Sequence, residues 1–148
     1  MKKTQRIIII GLLFSLSSFK LNQLVAIGLN SFGESKTFPV NFFKKVDCHS
    51  EQLTELILPI GIISIDCHNN KLTELKLTEN LKVIDCNSNQ LTYLELPDSL
   101  IYLNCRNNPI TEITLPKTIK TAILPLNCNV LNMDELKDID DIKIYFKF

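Results

Sequence analysis

The chain carries the tripeptide Asp-Cys-His twice, at Asp47-Cys48-His49 and at Asp66-Cys67-His68. Carboxylate, thiol and imidazole are the groups used in nucleophilic catalysis and in metal binding. Backbone geometry decides between those chemistries. In an extended segment, alternate side chains point to opposite faces, so Asp and His share one face and Cys takes the other. Thiol and imidazole then cannot meet, which excludes a Cys-His nucleophile. Asp47, His49, Asp66 and His68 stay together as oxygen and nitrogen donors of the kind zinc accepts. Polar residues on the solvent side of a strand need no ligand to explain them. No metal is therefore assigned, no cofactor is expected, and a cation-binding face is kept as an alternative. No glycine-rich phosphate loop, nucleophile elbow or paired zinc-ligand motif occurs in the chain, and no enzyme activity is expected.

The elements that position these residues follow from a repeat. Cys48, Cys67, Cys86 and Cys105 are each 19 residues apart. Thr54, Thr73, Thr92 and Thr111 keep the same spacing, as do Leu53, Leu72, Leu91 and Ile110. Each unit is led by Phe43-x-x-Val46-x-Cys48 or its equivalents, which begin at Ile62, Leu81 and Leu100. Three residues after Cys comes Asn70, Asn89 or Asn108. One such unit cannot bury its apolar side alone, so neighbours must stack and share a core. The return half, Leu-Thr-x-Leu-x-Leu-Pro, has too few residues for a full helix. Pro59, Pro97 and Pro116 suit extended or polyproline-like backbone there. A buried Asn, carrying both donor and acceptor, satisfies the backbone groups of the tight turn. Cys48, Cys67, Cys86 and Cys105 with Asn70, Asn89 and Asn108 thus form a structural ladder.

The pattern resembles the leucine-rich repeat, L-x-x-L-x-L/C-x-x-N-x-L, over about residues 41–124. The unit is shorter than usual for that family. It is most similar to short repeats in leucine-rich repeat proteins of giant amoeba-infecting viruses, and it also resembles repeats of secreted bacterial effectors. Glu51 in the first Asn position and Pro109 beside Asn108 depart from the pattern. The resemblance implies a β-rich solenoid of five to six coils, a parallel strand sheet on one face and extended return arms. It also implies a non-catalytic module that binds a protein partner through its strand face. The alternative it carries is the substrate-recognition module of a ubiquitin-ligase-like effector.

Strand alternation lays out that face in columns. Asp47, Asp66, Asp85 and Asn104 form the central one; His49, His68, Asn87 and Arg106 lie beside it. Lys45, Ser64, Val83 and Tyr102 lie on the other side. The interaction face is therefore expected at Asp47, His49, Asp66, His68, Asp85, Asn87, Tyr102, Asn104 and Arg106. Three carboxylates in register repel one another and invite a cation.

The repeat phase extends to both sides with decay. Ile119-x-x-Ala122-x-Leu124-x-x-Asn127 continues it. Asn132-Met-Asp-Glu-Leu-Lys then reads as a short helix with Asn132 as N-cap, and Ile139-x-x-Ile142-x-Ile144 as a closing strand. Towards the start, Leu24-x-x-Ile27-x-Leu29 is in phase and predicts a degenerate leading coil over 24–43, with Phe32 in the Asn slot. The repeat domain is placed at 24–148, with clear repeats at 43–124. Residues 1–23 are an apolar segment with two open readings. Lys2, Lys3 and Arg6 before the run Ile7 to Leu16 describe a signal peptide. The same run would also serve as an apolar cap on the stack. Secretion follows from the first reading and a cytoplasmic location from the second.

Composition sets the remaining bounds. The chain has 148 residues, 45% of them hydrophobic, with 16 basic and 16 acidic residues and no net charge. That suits one domain and gives no basic footprint for nucleic acid. The Ile7 run falls short of the ~20 apolar residues of a membrane span. A monomer with an unknown protein partner is expected.

Overall fold

The computed structural model describes residues 25–148. The two readings of residues 1–23 lie outside the described residues. The chain is a β-solenoid of about five turns with a parallel strand sheet along one side and almost no helix among the described residues.

The first two strands, β1 (Val25–Asn30) and β2 (Ser35–Pro39), form an antiparallel hairpin. This overturns the expected leading coil. Neither strand joins the parallel sheet. Instead β1 lies antiparallel against the first return arm, β4 (Leu53–Ile57), which follows β3 (Lys45–Asp47). Phe32 stands exposed at the hairpin tip, which is why an apolar residue is tolerated in the nominal Asn slot. The turn itself is held by Asn30, whose Oδ1 accepts from the Phe32 and Glu34 backbone N–H groups at 3.0 and 2.9 Å. Gly28 allows the close approach of the hairpin to the core. A Cβ there would lie 2.7 Å from the buried Leu53 side chain.

The sheet continues through β5 (Ser64–Asp66), β6 (Val83–Asp85) and β7 (Tyr102–Asn104). Next in the chain come β8 (Glu112–Ile113), β9 (Thr121–Pro125) and β10 (Asn129–Val130). One helical turn, α1 (Met133–Leu136), leads to β11 (Lys143–Lys147). The parallel sheet has the order β11-β9-β7-β6-β5-β3, and β8 and β10 pair separately on the return side. Register is exact along the sheet: Asp47 faces Asp66, Asp66 faces Asp85, and Asp85 faces Asn104.

The core is a set of stacked files. Val46, Ile65, Ile84, Leu103 and Ala122 form one; Cys48, Cys67, Cys86, Cys105 and Leu124 form the next. Leu53, Leu72, Leu91 and Ile110 close the core from the return side. All five cysteines are free and buried. The file led by Phe43 marks the edge of the stack. Ile62, Leu81, Leu100 and Ile119 are 0% exposed, whereas Phe43 is 70% exposed and packs edge-on against Phe42.

Asparagine ties successive coils together. Asn70 Nδ2 donates to Cys48 O at 2.9 Å and Cys67 O at 3.0 Å, while its Oδ1 accepts from the Leu53 N–H at 2.9 Å. Asn89 and Asn108 repeat the arrangement one and two coils on. Asn127 does not continue it; that residue is exposed. Nor does Asn132 cap α1 with its side chain. It bonds instead to both backbone groups of Leu115, at 3.1 Å from N and 2.8 Å from O. The tight turn after each Cys has a further signature. Ser50, Asn69, Ser88 and Asn107 all have positive φ, between 54 and 57°.

Candidate functional site

Three successive coils present the same small device on the solvent side of the sheet. The Asp before Cys folds its Oδ1 over the residue after Cys. His49 Nδ1 lies 2.5 Å from Asp47 Oδ1, and His68 Nδ1 lies 2.6 Å from Asp66 Oδ1. In the third coil Asn87 Nδ2 donates to Asp85 Oδ1 at 2.5 Å. The backbone N–H two residues on also reaches that oxygen, at 3.4, 3.2 and 3.2 Å in turn. The device follows from the alternation: Asp and its partner share a face, and the intervening Cys anchors the strand in the core.

The parallel register stacks the two imidazoles. The rings of His49 and His68 lie 4.8 Å apart at an interplanar angle of 2°. This is the strand spacing expressed in side chains. The His49 and His68 side chains are 47% and 34% exposed. Hydrogen bonding to the Asp47 carboxylate raises the His49 pKa above its ordinary value, and the charge of the same carboxylate adds to the shift.

Asp85 is held differently from Asp47 and Asp66. Its Oδ1 takes the Asn87 amide and its Oδ2 accepts from Asn104 Nδ2 at 3.0 Å. Asn87 and Asn104 are buried, at 8% and 6% exposure. Strand alternation predicts both as exposed contacts, and their burial corrects that expectation. Short amides that donate to a neighbouring carboxylate are drawn down into the face. Each donates to one oxygen of Asp85. Tyr102 and Arg106 are half-buried on either side of Asn104. Burial pushes the Tyr102 hydroxyl pKa up, and the Asp85 charge adds to the shift. Among the described residues, Asn104 Oδ1 and Arg106 Nε are buried without a hydrogen-bond partner.

The thiols face away from this surface. Burial pushes Cys48 up to about 12, with Asp47 the next cause, and Cys67 and Cys86 are raised well above the ordinary thiol value for the same main reason. A buried neutral thiol is a small hydrophobe without nucleophilic character. On the return side, two open grooves of about 680 and 720 Å³ share Tyr93, Glu95 and Leu96. Sequence reasoning overlooked Tyr93. The available signal was a lone aromatic at a position where the other coils carry Glu55, Glu74 and Glu112.

Among the described residues, no helix is long and apolar enough to cross a membrane. Comparison with family models, with characterised proteins and with solved structures finds no match.

Proposed function

We propose that this chain is a non-catalytic, monomeric recognition module of the leucine-rich repeat type, which binds a protein partner through the solvent face of its parallel sheet. One observation carries the reading: the Asp-x-His and Asp-x-Asn devices are repeated in register on three adjacent strands. Side chains already held by their neighbours lose little freedom on binding, so more of the contact energy remains as affinity. Tyr102 and Arg106 supply the residue types that most often anchor interfaces. Val83, 39% exposed beside them, adds apolar area to the same face. The buried thiols favour binding over catalysis, since the Asp-Cys-His tripeptide leaves no accessible nucleophile.

The test is crosslinking capture from the native cell with three forms of the full chain. The wild type and a return-arm variant, Lys76→Glu, are expected to capture the same protein. A face variant, Asp66→Arg with Tyr102→Ala, is expected to lose it. Equal capture by all three would end the proposal.

A further inference from the structure

We propose that His49, Asp66 and His68 form a binding site for a divalent transition-metal ion of the zinc type, spanning the first two strands of the parallel sheet. This stands apart from the protein-partner reading and does not depend on it.

The chain contains two histidines in all, and both fall in one register column on neighbouring strands. His49, Asp66 and His68 each bring one donor atom within 4.8 Å of the others. Two nitrogens and one carboxylate oxygen form a donor set that zinc accepts, with water or a partner group completing a tetrahedral shell. One imidazole is also oriented by a carboxylate outside the donor set, Asp47 for His49; Asp66, now paired with His68, would turn from that ring to the ion. A carboxylate bonded to a ring nitrogen fixes the tautomer and raises the basicity of the other nitrogen, which is the support that metal-binding histidines usually have.

The distances define the rearrangement required. Zinc takes nitrogen at about 2.0–2.1 Å, so two donors on a tetrahedral ion lie roughly 3.3 Å apart. Closing from 4.8 Å asks the stacked rings to tilt together at one edge. Both side chains are partly solvated, so the rings have space to tilt while the strands stay in register; His49 keeps its bond to Asp47, and His68 gives up its bond to Asp66 for the ion. The neighbouring thiols take no part, because Cys48 and Cys67 are buried on the opposite side of the strand. The third coil marks the limit of the site. Asn87 replaces His there and donates to Asp85, leaving no imidazole to ligate.

The experiment is a calorimetric titration of zinc into the full-length chain under reducing conditions, with imidazole NMR as the second readout. One ion per chain is expected, with both imidazoles perturbed together and a rise in melting temperature that follows the zinc concentration. His49→Gln, His68→Gln and Asp66→Asn should each weaken binding by at least ~10-fold, and Asp47→Asn by about 10- to 100-fold through the orientation of His49. Asp85→Asn should leave affinity unchanged, and excess calcium should not compete, since it prefers all-oxygen ligands. These variants lie on the partly exposed face, and an unchanged circular dichroism spectrum verifies that each is folded. The proposal is overturned by an absence of saturable uptake, by affinity that survives either histidine substitution or Asp66→Asn, or by effective competition from calcium.

Discussion

The Asn89 amide nitrogen lies 3.0 Å from the carbonyl oxygen of Cys67 and 3.0 Å from that of Cys86. One side chain thus joins the ends of two successive strands, and its oxygen accepts from the Leu72 N–H on the return side. Every term of this bridge is buried, so water cannot replace it. Asn89→Ala is expected to orphan several groups at about 1–3 kcal/mol each. Asp85→Ala frees the Asn87 and Asn104 amides at the solvent face, where water reaches part of the gap. Urea unfolding should show the Asn89 variant to be the less stable by at least ~2 kcal/mol. Equal losses would mean that the polar bridge carries no special weight.

Position in the stack, rather than residue type, should govern the cost of core truncation. Leu81 is fully buried between coils, while Phe43 occupies the matching position of the first coil and is 70% exposed. Leu81→Ala should cost about 2–5 kcal/mol, as a buried leucine does. Phe43→Ala should stay within about 0.5 kcal/mol, the range of surface changes. A large loss for Phe43→Ala in chemical denaturation would contradict the exposed placement of that side chain.

His49 gives a pH dependence with a definite sign. Its folded pKa is raised by the Asp47 hydrogen bond. The pair therefore adds stability that is fully present below the unfolded pKa, about 6.5, and is lost as pH rises through the higher folded value. An NMR titration of the His49 ring should place its midpoint above 6.5, and Asp47→Asn should return it towards that value. A midpoint unchanged by the substitution would contradict the assignment.

The thiol file should make the fold sensitive to alkali. Cys48 is pushed up to about 12 by burial, and burial raises Cys67 and Cys86 well above the ordinary thiol value. In the unfolded chain these thiols ionise near 8.5, so above that pH the unfolded state releases protons that the folded state keeps. Stability then falls by up to about 1.4 kcal/mol per thiol for each pH unit, until the folded pKa is reached. Replacing Cys86 by Ala should reduce the slope of stability against pH between about 9 and 11. An unchanged slope would place that thiol in contact with water.

Much of the arrangement was legible in the sequence because a period of 19 residues leaves little freedom. Alternation around Cys67 assigns Asp66 and His68 to one face, and the period aligns them with Asp47 and His49. The depth of a side chain was not legible. Alternation reports which side Asn104 takes, but not that it sinks to donate to Asp85. The hairpin is hidden in the sequence because Ile27 and Leu29 are spaced as in a repeat strand. Strand alternation is the same in a hairpin and a coil, and only Phe32 in the Asn slot argued otherwise. The bridging role of Asn132 was hidden because the last coil drifts out of phase, so adding the period to Asn108 points to Asn127 instead.

The strand face exists because coils superimpose every 19 residues. Removing one whole period tests it most directly. Deleting residues 68–86 joins Cys67 to Asn87 and keeps both the Cys file and the Asn bridge in phase. That chain should fold, with a cooperative melt and a β-type circular dichroism spectrum, because each coil depends only on its neighbours. A deletion of residues 68–84 breaks the phase and should not fold. If the two shortened chains melt alike, or if the in-phase one fails to fold while the other succeeds, the face described here is not the product of the repeat.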